Sequence, residues 1–289
     1  MKSKTPADPR GSKPCVIDTL TNADYHSLTD IYSKSMLDLF AHRPTKLQAY
    51  LKGIKRTESD AMKLGTLAHT ALLEPTTLDA RYRIHTEGLS KNSNAYKAIA
   101  AEAEAAGRIV IDQDTFDEGK AIAKAVSDKF DRIAAKIGGV SPFKMSGGVA
   151  ESSLFWTDPE SGLRCRCRPD WMCFDKKSKS GFIIDLKTTR DLNTFAKSVE
   201  SFRYDVSAAF YSDGYEAVFG VKPTAYLLAV VESDKPHDVC IQYAPPEIAE
   251  RGRRSYKRDL MGIKQVLETN EWPSFPDDFV PMELPAWAK

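Results

Sequence analysis

Three charged residues between Leu163 and Arg190 have the types and spacing for phosphodiester chemistry: Asp170, Asp185 and Lys187. Leu163 to Phe174 alternates as a strand, a Lys/Ser/Gly turn follows, and Phe182 to Thr188 reads as a second, more apolar strand. In the first strand Arg164, Arg166, Arg168 and Asp170 are expected on one face, with Leu163, Cys165, Cys167 and Pro169 opposite. In the second, Asp185 and Lys187 share a face and Ile184 and Leu186 share the other. Two neighbouring strands would then present Asp170, Asp185 and Lys187 to one groove. Carboxylate oxygens suit Mg²⁺, which keeps part of its water and also binds phosphate oxygens. An ammonium beside them can orient an attacking water and offset developing charge. Asp-x-Lys alone is a weak signal, and Asp175-Lys176-Lys177 is a decoy in a Lys/Ser loop with no apolar strand after it. Asp185-Leu186-Lys187 instead follows Phe182-Ile183-Ile184, where charge is costly unless paired or metal-bound. An ordinary surface ion-pair network is the competing reading of that doublet. Asp170 on the adjacent strand favours a site.

Other ligand types are less pointed. Cys165, Cys167 and Cys173 match neither paired CxxC units nor a ferredoxin-type run, and Cys165 and Cys167 read as small buried strand residues. Five cysteines in all, an odd count in a long chain, favour a reducing cytoplasm without a disulfide framework. His69 lies four residues after Gly65 on one side of a helix, and a lone histidine there is more often a hydrogen-bonded boundary residue than a ligand. The glycine costs about 1 kcal/mol against alanine, which suggests a close approach to the backbone.

The chain that must position these groups has 289 residues, enough for one large domain. Its charged fraction of 28% and net charge of +1 do not announce a nucleic-acid binder, so any DNA-attracting field has to come from local clustering. No apolar run is long enough to cross a bilayer, and no apolar signal segment opens the chain. Residues 1–20 read as a disordered tail and 21–289 as one domain. Met36, Leu37, Leu39 and Phe40 mark an early helix after Ser33 or Ser35, and Pro44 opens another. Ser59 to Leu73 is a strong helix ended by Pro75, and about 85–140 reads as a helical insertion with a short strand at Arg108–Ile111. Val149 to Asp158 is the expected hairpin partner of Leu163 to Phe174. Helices over about Leu192–Phe202 and Val206–Phe219, strands over Ala225–Val231 and Val239–Tyr243, and a basic helix from about Pro246 to Glu268 follow. This order predicts an α/β fold with a small mixed sheet flanked by helices.

Arg168-Pro169-Asp170 followed by Asp185-Leu186-Lys187 resembles the PD-(D/E)XK nuclease signature. More narrowly, Tyr25-His26-Ser27-Leu28 with Ser33-Lys34-Ser35, Gly65-Thr66-Leu67-Ala68-His69, Asp185-Leu186-Lys187-Thr188-Thr189 and Tyr204 to Tyr215 resemble, in order, the RecE-like (exonuclease VIII) phage exonucleases. The resemblance spans about Tyr25 to Trp272. It implies a PD-(D/E)XK core and raises His69 to a metal ligand beside Asp170, Asp185 and the backbone carbonyl of Leu186, with Lys187 catalytic. Glu151 is a further candidate at a second metal, or simply an exposed strand glutamate. Arg168, Thr188, Tyr204 and Tyr211 are expected DNA contacts, with Arg164 and Arg166 as weaker candidates; solvated arginines and aromatic packing are the alternatives. Tyr211 fits the tyrosine of a Gln-x-x-x-Tyr motif, but Ser207 stands at the glutamine position. Arg251, Arg253, Arg254, Lys257 and Arg258 would track DNA or line a solvated helix face. The resemblance also implies Mg²⁺ (Mn²⁺ substituting), 5′-to-3′ digestion of linear double-stranded DNA without ATP, and a ring-shaped trimer or tetramer. It further implies a RecT-type single-strand annealing protein as partner, no membrane association, and a bacterial cytoplasm with phage or prophage origin. A catalytically silent DNA-binding protein and a site-specific endonuclease remain the rival readings.

Overall fold

A computed structural model describes residues 9–54, 59–85, 89–90 and 92–284. Its centre is a five-stranded sheet ordered β10-β9-β8-β7-β4, formed by β4 (Gly148–Ala150), β7 (Trp171–Asp175), β8 (Ser180–Thr189), β9 (Ala225–Glu232) and β10 (Val239–Tyr243). Only the β8–β9 pair is parallel, the rest being antiparallel. A parallel pair needs a crossover, supplied here by α8 (Phe195–Ser201) and α9 (Tyr204–Phe219).

Helices cover both faces of the sheet. On one side, Ile183, Tyr226, Leu228 and Val230 pack with α9, α10 (Pro246–Thr269), α2 (Lys34–His42) and α3 (Pro44–Leu51), through Phe210, Leu260, Met36 and Leu47. On the other, Ile184, Leu186, Ala229 and Val231 meet Ala68 of α4 (Asp60–Leu73) and Ile122, Val126 and Phe130 of α7 (Gln113–Ile137). Burying both faces explains why β8 and β9 are near-continuous apolar runs. Where α9 and α10 cross, a Cβ on Gly252 would come 2.0 Å from the Asp205 carbonyl oxygen, so only glycine allows the contact. Among the described residues no helix is long and apolar enough to cross a membrane.

Three boundaries differ from expectation. The strand predicted over Leu163 to Phe174 is two strands in two sheets: β6 (Arg164–Cys167) pairs with β5 (Ser153–Thr157), and β7 pairs with β8 and β4. Pro169 lies in the link, where it has no N–H to offer a ladder. Its partner breaks at the same level, between β4 and β5, where Glu151 takes φ 51° and its N–H donates to the Asp170 carbonyl at 3.1 Å.

Within the expected disordered tail, residues 9–20 carry structure. β1 (Cys15–Ile17) pairs with β5 to complete a three-stranded sheet β1-β5-β6, and α1 (Asn22–Ser27) follows. Residues 1–8 lie outside the described residues. The third difference is the helical insertion. A short α5 (Leu78–Arg81) leads into β2 (Tyr82–His85), which pairs in parallel with β3 (Ile109–Asp112) around α6 (Asn94–Ala105). α7, however, is a core layer on the central sheet rather than part of an insertion. It is capped by the Asp112 side chain, which accepts from Thr115 N–H at 2.7 Å, and stopped at Gly138 with φ 66°.

Candidate active site

β8 carries the site because its alternation holds in the structure. Ile184 and Leu186 enter the α4/α7 core while Ile183 enters the opposite one, so Asp185 and Lys187 project toward the α9 side. Asp185 is 2% exposed. Its Oδ2 accepts from Lys187 Nζ at 2.7 Å and from the Tyr226 hydroxyl at 2.8 Å. Lys187 Nζ also donates to the Leu186 carbonyl at 3.1 Å.

Asp170 reaches the same point from the kinked link before β7. Its Oδ2 accepts from the Leu186 N–H at 2.6 Å, which ties the carboxylate to the middle of the Asp185-Leu186-Lys187 triplet. His69 closes the set from α4: Nε2 meets Asp170 Oδ2 at 3.0 Å, and Nδ1 meets the Gly65 carbonyl at 2.7 Å. The structure thus brings together four residues spread over 118 positions of sequence, counting from His69 to Lys187 (187 − 69). Gly65 is less demanding than its type suggests, since an added Cβ would sit 3.5 Å from Thr188 Oγ1, an ordinary contact.

Electrostatics follow from burying two acids beside two bases. Burial pushes the Asp185 carboxyl up, with the Lys187 ammonium working against it. Burial also opposes ionisation of Asp170, but His69 and Lys187 outweigh it and hold that carboxyl well below the usual range. Burial would lower the His69 pKa, yet the Asp170 carboxylate holds it up to about 9. Lys187 stays firmly protonated because its two acids overcome its own desolvation. Glu151 stands at the edge of this group, and burial together with the Asp170 charge pushes it up to about 7.

Among the described residues no three His, Cys, Asp or Glu side chains form a ready cation cage. One oxygen of each carboxylate is instead bonded within the protein: Asp170 Oδ2 by His69 and the Leu186 N–H, and Asp185 Oδ2 by Lys187 and Tyr226. The donor set itself fits a hard divalent ion: two carboxylates, the Leu186 carbonyl and one imidazole match Mg²⁺ or Mn²⁺ in chemistry. The cysteines take no part. Cys165, Cys167 and Cys173 are buried free thiols within the apolar cores.

The expected DNA contacts fare unevenly. Arg166 is not in the groove: it is 0% exposed, lies over the Tyr25 ring and donates to the Leu28 and Ile31 carbonyls. Arg164 is tied to the N-terminal segment through the Pro9 and Lys13 carbonyls, at 3.0 and 2.9 Å. Both corrections come from the strand break, which turns β6 into a separate sheet packed under that segment. Arg168 also lies over the Tyr25 ring, 4.3 Å from its centroid, and donates to Ser153 Oγ and the Leu20 carbonyl at 2.9 Å each. The Tyr204 ring carries Lys187 at 5.6 Å and Lys34 at 5.7 Å, and it stacks on Phe195. Tyr211 packs edge-on against Tyr226. Tyr215 is a core residue whose hydroxyl donates to the Cys173 carbonyl.

The basic cluster of α10 is paired. Arg251 meets Glu200 and Asp205, Arg253 meets Asp213 and Glu250, Arg254 meets Glu250, Lys257 meets Asp158, and Arg258 meets Asp259. Tyr226 was legible only as one residue of a buried strand; its signal is a hydroxyl set in an otherwise aliphatic run beside β8.

Comparison with known proteins bears on the family and the fold. The model of a family described as "PDDEXK-like domain of unknown function (DUF3799)" matches residues 33–277. A crystal structure from Eubacterium rectale, of a protein named "Putative exonuclease", superposes with a TM-score of 0.59 at 15% identity, covering 93% of this chain and 97% of that one. Protein VC1899 from Vibrio cholerae aligns with a TM-score of only 0.21 at 13% identity, over 87% of this chain and 61% of that one, and carries no argument. No curated protein sequence matches.

Proposed function

The chain belongs to the PDDEXK-like family whose model covers residues 33–277 and has the PD-(D/E)XK nuclease fold, and from that premise we propose that it is a metal-dependent DNA exonuclease. The observation that carries the reading is the convergence of two bonded pairs, Asp170 with His69 and Asp185 with Lys187, joined through the Leu186 N–H that Asp170 accepts. A non-catalytic DNA-binding protein has no use for two buried acids, which cost stability unless compensated. The likeness in fold to a protein named as an exonuclease supports action at DNA ends over site-specific cutting.

Asp170, Asp185, the Leu186 carbonyl and His69 would hold Mg²⁺ or Mn²⁺, with Glu151 a candidate ligand of a second ion. When bound, the ion supplies Lewis-acid activation of water and of the phosphate. Lys187 holds its proton and orients the attacking water near Asp185, and its charge offsets the charge that develops on the phosphate. The Gly65 carbonyl accepts from Nδ1–H of His69 and fixes the ring, so Nε2, which faces Asp170, is the nitrogen that would give up its proton to take the ion. Thr188, next on β8, and Arg168 flank the site as candidate phosphate contacts.

The finer reading is 5′-to-3′ digestion of linear duplex DNA without ATP by a ring-shaped homo-oligomer, leaving tails for a single-strand annealing protein. End-labelled linear duplex and covalently closed circles, each with Mg²⁺ or EDTA, test the core of it. Loss of label from linear DNA in Mg²⁺ alone is expected. Equal cutting of circles would instead make this an endonuclease.

A further inference from the structure

Tyr226 belongs to none of the charged groups of the site, yet its hydroxyl is bonded to the most deeply buried of them. In the parallel pairing of β8 with β9, Tyr226 lies opposite Ile183 and Leu228 opposite Asp185. The phenol therefore has to reach two residues along the strand, about 6.6 Å at ordinary strand rise. Tyr226 shares the α9-side core with Ile183, Leu228 and Val230, so the ring runs on the same face as Asp185. Its hydroxyl arrives 2.8 Å from Asp185 Oδ2, and Tyr211 braces the ring edge-on at 6.2 Å. The other residues of β9 before Glu232 are Ala, Leu and Val. Phenylalanine would fill the same 4%-exposed place without a hydroxyl to satisfy.

We propose that Tyr226 is a positioning residue for metal binding: it holds Asp185 Oδ2 and so directs the other carboxylate oxygen, Oδ1, to the divalent ion. This rests on the metal-dependent reading above. Lys187 shares Oδ2 but is a flexible point charge that must also serve water and phosphate. Tyr226 is buried, braced edge-on by Tyr211, and gives its hydroxyl to Asp185 alone among the described residues. Hydrogen-bond partners of metal-binding carboxylates orient them, and losing one typically weakens metal affinity about 10–100-fold.

The test uses the full chain without DNA. Mn²⁺ binding is titrated calorimetrically for wild type, Tyr226→Phe and Tyr215→Phe, with urea unfolding of each in EDTA. Tyr215→Phe also deletes a buried hydroxyl, the one bonded to the Cys173 carbonyl, but on a residue remote from Asp185 in the bonding network. Tyr226→Phe is expected to bind Mn²⁺ about tenfold more weakly, with Tyr215→Phe retaining wild-type affinity whatever it loses in stability. Wild-type Mn²⁺ affinity in a folded Tyr226→Phe chain overturns the proposal, as does an equal loss in Tyr215→Phe. If Tyr226→Phe does not fold, adding Asp185→Asn and Lys187→Met together, which removes both charges of the buried pair, must restore folding, because the missing phenol matters only to a buried charge; no rescue also overturns it. Failure of the wild type to cleave DNA in Mg²⁺ would sink the nuclease reading separately, leaving the Mn²⁺ comparison to decide the role of Tyr226.

Discussion

Replacing Lys187 with methionine removes the charge that compensates Asp185 while keeping most of the stem. Asp185 is almost wholly buried, and Lys187 Nζ stands 2.7 Å from its Oδ2. Deleting one partner of a buried pair costs about 3–5 kcal/mol, because the remaining charge is left in a poor solvent. The lysine side chain is 23% exposed and the Tyr226 phenol stays in place, so the lower end, about 3 kcal/mol, applies in EDTA at pH 7. At about 2–4 °C per kcal/mol for a chain of this size, the melting temperature should fall by roughly 6–12 °C. Magnesium should then stabilise Lys187→Met more than it stabilises wild type, since a cation at the two carboxylates replaces the lost ammonium. Urea unfolding followed by tryptophan fluorescence, in EDTA and in Mg²⁺, measures both effects. A variant within about 1 kcal/mol of wild type in EDTA, the scale of a surface pair, would refute the burial argument. Equal Mg²⁺ stabilisation of the two chains would refute the placement of the cation.

Burial alone would lower the His69 pKa, but Asp170 holds it up to about 9, above the ordinary 6.5. A raised pKa stabilises fully below the unfolded value and loses its contribution as pH rises through the folded one. Metal-free wild type should therefore lose stability between pH 6.5 and about 9, and His69→Gln should flatten that slope; identical slopes would count against the ion pair. Asp112→Ala should cost about 1 kcal/mol at pH 7 by uncapping α7. Hydrogen bonds from Thr115 overcome burial and depress the Asp112 carboxyl below 3.8, so the cap's share is present above that value and lost as pH falls through the depressed one. A gap between wild type and variant that persists unchanged into strong acid would contradict it. Arg166→Met should destabilise by about 2–4 kcal/mol, since it strands the Leu28 and Ile31 carbonyls. The salt dependence of DNA binding should not change, whereas loss of a phosphate contact would reduce its slope by about one.

Much of the site was legible because it depends on strand alternation and local context. Asp185 and Lys187 could be assigned a shared face from Ile184 and Leu186, and the decoy at Asp175 could be set aside for lack of a following apolar run. His69 was different. Helical spacing placed it beside Gly65, but nothing local connects it to Asp170, and only resemblance linked the two before the structure gave a 3.0 Å contact.

The misreadings share a cause, which is long-range packing. Arg164 and Arg166 looked like groove residues because alternation was extended through Pro169, when that proline instead marks the switch between sheets. The N-terminal segment looked disordered by composition, yet β5 supplies it with a ladder and Arg164 with donors. Of the two readings of the α10 basic cluster, sequence could not weigh its pairing, because the partners Asp158, Glu200, Asp205 and Asp213 lie far back in the chain. α7 looked inserted because the sheet that it covers is built from strands that come later in the chain.

The central claim is that this buried pair of acids performs metal-dependent cleavage of DNA. Single-turnover digestion of end-labelled linear duplex by wild type, Asp170→Asn and Asp185→Asn, each verified as folded and assayed with Mg²⁺ or EDTA, tests it most directly. Cleavage by wild type in Mg²⁺, with none in EDTA and a fall of at least about a thousandfold in either variant, is the predicted result. Wild-type rates from a folded Asp185→Asn chain, or intact linear DNA with wild type in Mg²⁺, would contradict it.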